Sequence, residues 1–471
     1  MRKTKIVCTI GPASESPEMI RALLRAGMDV ARLNFSHGTL DEHLNRINNL
    51  REAAAELGVN LALLLDIQGP KIRVGHLPGG PIELVPGQEY ILTVEPCEGD
   101  EQRIHVDYPH LNRDLRPGSV IYIDDGLLEL RVAEIRGPEV VCRVIIGGPL
   151  SSRKGLSLPG VDVDLPPLTR EDVEHIRFGV RHGVDFIAAS FVRRAEHVEA
   201  VRSVIREAGG SQQVVSKIES DEGLRNIDEI IKASDAIMVA RGDLGVEIAV
   251  EEIPHAQKML IRKCNLAGIP VITATQMLDS MIRNPTPTRA EVTDVANAIL
   301  EGTDAVMLSG ETAVGKYAAR AVQIMDRIAR RVEEVMDYPA ILREKAEEGR
   351  TAIDQAVSLA ACQVSQDLDV GVMICSTFSG ATARFLSQKR PKAVIFATSP
   401  NEHVVRQLAL SWGVCAAYLQ RPAEVEALVH QSVELAKSRG VVSSGDIVTV
   451  ITGLAGGSPG STNMLRVLCV D

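Results

Sequence analysis

The chain has 471 residues, enough for about three domains of ordinary size, and its 51 Lys and Arg against 62 Asp and Glu leave a net charge of −11. With no long basic block to offset it, that balance disfavours a sequence-independent grip on nucleic acid or an anionic membrane surface. Hydrophobic content of 45% with only 3% aromatic residues implies aliphatic cores and no base-stacking platform, and no apolar run approaches the ~18 residues of a membrane span. The opening MRKTKIVCTIG reads as a first strand rather than a secretory leader. Eight cysteines scattered without a CxxC point to reduced thiols in a cytoplasmic protein.

Short apolar, β-branched runs at 4–10, 28–34, 61–66, 184–190, 213–218, 236–241, 270–275 and 305–309 predict strands, most of them separated by one amphipathic helix such as 16–25 or 289–301. Eight such units spell an α/β fold, a (β/α)8 TIM barrel, built from 1–70 and 164–345. The interval 71–163 has another texture. PIELVPGQEYILTV, SVIYIDDGLLELRVAEI and EVVCRVIIGG alternate with period two and break at Pro-Gly, Asp-Asp-Gly and Gly-Pro turns. They predict an inserted antiparallel β domain, a small β-barrel sitting over the barrel mouth as a lid. A long charged helix over about 318–348 leads to 346–471, where VGVMICS, AVIFATS, CAAYL, DIVTVITG and MLRVLCV predict a C-terminal open α/β domain. No internal repeat is present.

In such barrels chemistry gathers at the C-terminal strand ends. Those ends carry Thr9, Arg32, Asn34, Ser36, Asp66, Ser190, Lys217, Glu219, Asp243, Thr275, Ser309 and Glu311. Cations and carboxylates converging on one mouth are more than folding requires. In SKIES, Lys217 and Glu219 are two apart on a strand and share a face. They form either a local ion pair or a phosphate-facing ammonium beside a hard oxygen ligand for Mg²⁺. In ARGDLG, Asp243 is either a turn or helix-cap residue or a second carboxylate for that cation, and the amides after Gly242 suit an anion. In RLNFSHG the alternation puts Arg32, Asn34 and Ser36 on one face, while His37 either caps the next helix or joins the site. DIQGPKIR supplies Asp66, Lys71 and Arg73 where the lid begins. GETAVGKY, from Gly310 to Tyr317, nearly matches a phosphate loop, but Tyr317 is too large for the small hydroxyl that must reach Mg²⁺, and the position is the eighth barrel strand. It is rejected.

RLNFSHG, DIQGPKIR, YIDDG, KGLSLPG, DLPPLT, SFVR, SKIES, ARGDLG, ATQMLDSM, PTRAEVTDVANAILEGTDAVMLSGETA and WGV, in order along the chain, resemble pyruvate kinase. The resemblance runs from about residue 3 to 471. It implies transfer of the phosphoryl group of phosphoenolpyruvate to ADP, giving pyruvate and ATP, the last step of glycolysis. By motif match, Glu219 and Asp243 bind Mg²⁺ (or Mn²⁺) and Lys217 neutralises the phosphoryl group in flight. Arg32 and Arg73 hold phosphate oxygens. Arg73, Lys154, His37 and Asn34 lie on the nucleotide side, with Asp124 and Asp125 at a lid turn. Gly242, Asp243 and Thr275 hold the substrate carboxylate, and Thr275 helps organise the proton donor to the enolate. A barrel lyase or aldolase acting on an enolate has no need of Arg73 and Lys154 on a lid, and a silent metabolite sensor has no need of Lys217, Glu219, Asp243 and Thr275.

The family's K⁺ ligands match Asn34, Ser36, Asp66 and the backbone carbonyl of Ile67. K⁺-dependent members read approximately DTKGPEIRT there, whereas this chain reads DIQGPKIRV, with Lys71 in place of a glutamate. Lys71 either points to solvent on a hinge or brings its own ammonium to the cation's place. Like charges at ~4–6 Å repel by several kcal/mol at an effective dielectric of ~20, so K⁺ is expected not to be required. In the C-terminal domain, STFSGAT offers Thr377, Ser379, Gly380 and Thr382 to a phosphorylated effector, the function of the equivalent loop in the family, with GLAGGSPGSTN at 453–463 as a second loop. The resemblance also implies a homotetramer.

Overall fold

In the computed structural model, which describes residues 1–347, 352–453 and 462–471, all eight expected runs are strands of one closed barrel. They are β1 (Lys5–Ile10), β2 (Val30–Asn34), β3 (Ala62–Asp66), β4 (Phe186–Ala189), β5 (Gln213–Ile218), β6 (Ala236–Ala240), β7 (Val271–Ala274) and β8 (Ala305–Leu308). Every neighbour is parallel, and β1 closes against β8 with Lys5 opposite Ala305. β3 and β4 pair directly, Phe186 opposite Leu64 and Ala188 opposite Asp66, despite the long insertion between them. Val7, Leu64, Phe186, Val215, Met238, Ile272 and Met307 fill the barrel; the opposite faces pack on the surrounding helices. Three of those helices start with a reciprocal cap, Thr39 with Glu42, Thr169 with Asp172 and Thr288 with Glu291, which fixes where each strand-end loop stops.

The insertion forms a six-stranded sheet in the spatial order Leu156–Ser157, Val120–Ile123, Leu128–Arg136, Glu139–Ile146, Glu89–Thr93, Arg103–His105. It is antiparallel except for its last pair, Glu89–Thr93 with Arg103–His105, which is parallel. Alternation along a strand reports its two faces and not the direction of its neighbour, so the wholly antiparallel expectation fails at that pair. The Asp-Asp-Gly turn is left-handed at three successive residues, with φ of 55° at Asp124, 53° at Asp125 and 88° at Gly126. Aspartate tolerates that region better than most residues, and the geometry suits a tight hairpin.

The expected helix over 318–348 is two helices, Ala318–Val335 and Tyr338–Glu347. Pro339 cannot donate to the carbonyl a turn earlier, so it sits in a first turn instead, and Asp337 Oδ1 accepts from the Ala340 amide at 2.9 Å to start it. The C-terminal sheet is open, in the order Val414–Tyr418, Val394–Ser399, Val372–Ser376, Ile447–Gly453, Thr462–Cys469, parallel except for the last pair. The C-terminal domain covers the N-terminal end of the barrel, chiefly through the helical segment 402–410 beside that sheet. Ala409 and Leu410 join the barrel's interior, Lys5 Nζ donates to the Val414 carbonyl at 2.6 Å, and the buried Asp185 carboxylate accepts from Arg406 Nε at 2.8 Å. All eight cysteines are free thiols, and burial pushes Cys142, Cys362 and Cys375 up to about 12. No helix among the described residues is long and apolar enough to cross a membrane.

Candidate active site

With one end of the barrel covered, the C-terminal strand ends face the lid. Lys217, at the end of β5, is the hub. Its Nζ lies 2.6 Å from Ser190 Oγ, 2.8 Å from Glu219 Oε1 and 3.3 Å from Asp66 Oδ1. Burial opposes its charge, but Asp66 and Glu219 outweigh that and hold its pKa above the ordinary lysine value. Arg32 on β2 donates from Nε to Asp66 Oδ2 at 2.6 Å and from Nη1 to Thr9 Oγ1 at 2.9 Å. Burial likewise opposes the Asp66 charge, yet Lys217 and Arg32 hold its carboxyl below the usual range.

Glu219 differs from Asp66. Its Oε2 accepts from the Phe191 amide at 2.7 Å, and only 1% of its side chain is exposed. Burial pushes its pKa up to about 7; Lys217 works against the rise and the nearby Asp243 adds to it. Glu219 and Asp243 are two carboxylates close enough to raise one another's pKa at the barrel mouth, a pair that a divalent cation would suit. Among the described residues no group of three or more His, Cys, Asp or Glu is gathered to hold a metal. Two carboxylates completed by water and substrate oxygens is a donor set suited to Mg²⁺.

Asp243 is neither a cap nor an isolated turn residue, since it lies in the first turn of the helix Arg241–Glu247, whose N-cap is Ala240. Its Oδ1 lies 3.6 Å from Lys71 Nζ, which also meets Asp125 Oδ1 at 3.2 Å. Lys71 is thus turned inward, not to solvent: 22% of its side chain is exposed, and Nζ stands 6.0 Å from the Phe191 ring centre. On the lid, Arg73 Nη1 donates to the Arg153 carbonyl at 3.1 Å, and Lys154 Nζ pairs with Asp124 Oδ1 at 2.8 Å. Thr275 follows β7 with φ of 67°; its Oγ1 accepts from the Gly242 amide at 2.8 Å.

Other expectations do not hold in detail. β2 ends at Asn34, so Ser36 does not continue the shared face; it is exposed in a turn, its amide donating to Asn34 Oδ1 at 3.3 Å. His37 is not the helix cap, which is Thr39; the His37 carbonyl instead accepts from His43 Nε2 at 2.9 Å. The Ile67 carbonyl accepts from Ser190 Oγ at 2.8 Å. The rejected phosphate-loop segment is consumed by folding. Glu311 accepts from the Leu278 amide at 3.0 Å and the Ser309 amide at 2.7 Å.

In the C-terminal domain, Thr377 Oγ1 accepts from the Gly380 amide at 3.0 Å, closing the loop on itself, and Gly380 starts the helix with φ of 84° and no side-chain cap. The Ser379 carbonyl accepts from Arg384 Nη2 at 2.9 Å, and the Thr382 hydroxyl bonds that of Thr462. Of the second loop, 454–461 lies outside the described residues.

The barrel and the C-terminal domain both match known families. The family described as "Pyruvate kinase, barrel domain" matches residues 1–322, and "Pyruvate kinase, alpha/beta domain" matches 355–468. The pyruvate kinase of Geobacillus stearothermophilus is 48% identical over 469 residues, covering 99% of this chain and 80% of the relative. That of Bacillus licheniformis is 48% identical over 473 residues, covering 100% and 81%. The chain belongs to the pyruvate kinase family. A crystal structure of a pyruvate kinase from Cryptosporidium parvum superposes with a TM-score of 0.95 at 39% identity, covering 100% of this chain and 96% of that one. As a pyruvate kinase, the enzyme has the barrel and C-terminal α/β domain expected from its strand pattern.

Two contacts at the site have no signature in the sequence. One is the Phe191 amide that holds Glu219, presented by a left-handed φ of 54° at a residue with no obvious reason to adopt it. The other is the reach of Lys71 across to Asp243.

Proposed function

We propose that the enzyme transfers the phosphoryl group of phosphoenolpyruvate to ADP, yielding pyruvate and ATP, with Lys217 at the centre of the transfer. The observation that carries the reading is the buried Lys217 ammonium, held by Ser190, Glu219 and Asp66, with Asp243 as a second carboxylate near Glu219. Phosphoryl transfer needs positioning and charge neutralisation more than covalent chemistry from the protein. Glu219 and Asp243 would hold Mg²⁺ or Mn²⁺, which when bound would supply Lewis-acid neutralisation of phosphoryl charge. Lys217 faces the equatorial oxygens in transit. Arg32, fixed by Asp66 and Thr9, holds phosphate oxygens from the β2 side. The Gly242 and Asp243 amides with the Thr275 hydroxyl receive the substrate carboxylate, and Thr275 orients the proton donor once the enolate forms. Arg73, Lys154, Asn34 and His37 serve the nucleotide, and closure of the lid excludes water that would divert the phosphoryl group.

Potassium is not required in this reading. Two of the four K⁺ positions are engaged internally, Asp66 by Arg32 and Lys217 and the Ile67 carbonyl by Ser190. Lys71 adds a positive charge to the same barrel mouth, where it pairs with Asp243 and Asp125, neither of them one of the four. The loop with Thr377, Ser379, Gly380 and Thr382 takes a phosphorylated effector; Arg384, bonded to the Ser379 carbonyl, brings a cation to it. The family resemblance supports a homotetramer, and free, mostly buried thiols support a cytoplasmic setting. The decisive experiment is a lactate-dehydrogenase-coupled assay with phosphoenolpyruvate, with and without ADP. Pyruvate formed only with ADP is expected; pyruvate formed without ADP, or none with it, overturns the reading.

A further inference from the structure

Arg241 follows β6 and opens the helix Arg241–Glu247, and none of the steps above uses its side chain. Its guanidinium, 11% exposed, turns sideways under the end of β7. Nε donates to the Ala274 carbonyl at 3.2 Å and Nη2 to the Thr275 carbonyl at 2.6 Å. Nη1 is tethered by Asp294 Oδ1 at 2.7 Å and Gln257 Oε1 at 3.2 Å, and Nη2 also meets Met277 Sδ at 2.8 Å. One planar group therefore grips both peptide oxygens that flank the Cα of Thr275.

That grip falls where the backbone needs it. Thr275 and Gln276 both have positive φ, 67° and 56°. A β-branched residue avoids that region, and such a conformation persists only where its surroundings over-determine it. The same twist brings Thr275 Oγ1 to the Gly242 amide at 2.8 Å, while the hydroxyl donates to the Ala274 carbonyl at 2.6 Å. Arg241 and Thr275 thus share the Ala274 oxygen, and Arg241 and Gly242 are adjacent in sequence, so the corner closes on itself.

We propose that Arg241 is a positioning residue that holds Thr275 in its left-handed conformation and so sets the Gly242–Asp243–Thr275 corner at the spacing a substrate carboxylate requires. The inference rests on the assignment of that corner to the carboxylate. Lysine is a poor substitute, because a point charge cannot donate to two carbonyls in one plane and still pair with Asp294.

The test is kinetic and structural together. Arg241→Met should lower kcat/KM for phosphoenolpyruvate on the order of 100-fold, with Arg241→Lys intermediate and KM for ADP unchanged in both, since the nucleotide-side cations Arg73 and Lys154 lie on the lid. Because Arg241 acts through Thr275, the double variant Arg241→Met/Thr275→Ala should be no worse than Thr275→Ala alone. Millimolar guanidinium should recover part of the Arg241→Met loss. Additive losses in the double variant, or equal changes in both KM values, overturn the proposal. Hydrogen exchange of 274–278 gives a readout independent of turnover. It should accelerate in Arg241→Lys as well as Arg241→Met, so the test survives if the methionine variant fails to fold; unchanged exchange overturns the proposal. A wild-type enzyme inactive with phosphoenolpyruvate and ADP would instead overturn the functional reading, and the exchange result would still decide whether Arg241 holds Thr275.

Discussion

Replacing Lys217 by methionine keeps most of the side chain's volume and removes one charge. Three groups lose a partner: Ser190, Asp66 and Glu219. Asp66 keeps Arg32 at 2.6 Å, so its charge remains paired. Glu219 does not; its remaining partner is the Phe191 amide, and it stays 1% exposed. Breaking a buried pair by removing one member typically costs about 3–5 kcal/mol, and with Asp66 rescued the lower end applies, about 3 kcal/mol at pH 8.5. The cost depends on pH. A carboxyl whose folded pKa is raised above its unfolded value destabilises the fold as pH climbs from the unfolded to the folded pKa, and the loss is complete above the latter. Burial has already raised Glu219, and removing Lys217 takes away the largest influence opposing that rise. The variant should therefore be penalised most at pH 8.5 and markedly less at pH 6, where Glu219 takes up a proton. At ~2–4 °C per kcal/mol for a domain of barrel size, Tm should fall by about 6–12 °C at pH 8.5 and by about half that at pH 6. In the coupled assay kcat should drop by roughly 10³-fold or more with KM changed only a few-fold, because the ammonium is needed chiefly in the transition state. Equal Tm losses at the two pH values would refute the assignment of the penalty to Glu219, and near-normal turnover would remove Lys217 from the mechanism.

Glu219→Gln should shift the Mg²⁺ titration of activity at least ~10-fold upward, a loss typical of altering a metal's ligand environment; an unchanged titration excludes Glu219 as a ligand. Activity should be full in buffers free of K⁺ and NH₄⁺, and Lys71→Glu should make the enzyme respond to K⁺ at fixed ionic strength. A many-fold activation of the wild type by KCl would contradict the first, and an unresponsive variant the second. Fructose bisphosphate, ribose 5-phosphate and AMP should be screened by thermal shift and substrate saturation, with at least one expected to move both; no response to any of them would remove the effector assignment. Asp185→Asn tests the seam between barrel and C-terminal domain. Burial opposes the Asp185 charge, yet His403, Arg51 and Arg406 hold the carboxyl below its usual range, so its contribution is present at neutral pH and lost as pH falls through the folded pKa. Calorimetry at pH 7 should show Tm lowered by several degrees, and an unchanged transition would show that the seam does not depend on this carboxylate.

The strands of the barrel were legible because a parallel strand buried on both faces must be an unbroken apolar run, and such runs are bounded by turn residues wherever they occur. The insertion showed itself by the change to period two, and the polar residues that end the strands were legible as a set because a barrel sends all its C-terminal ends to one face. That much is local pattern. What the pattern could not carry is direction. Whether Lys71 faces solvent or Asp243 depends on where a lid hairpin comes to rest, and its partner Asp125 is 54 residues away. The Phe191 amide serves Glu219 only because two neighbouring strand ends meet. Arg241 grips Thr275 from 34 residues away through backbone oxygens, which every residue possesses and no sequence advertises. Ser36 lies off the shared face because the strand gives way to a turn after Asn34, and His37 is displaced as cap by Thr39, two residues on, which a single sequence does not rank above it. The residue types needed for the chemistry are therefore inherent in the chain, while their pairing, burial and charge state arise only when barrel closure and lid docking bring distant segments within hydrogen-bonding range and withdraw them from water.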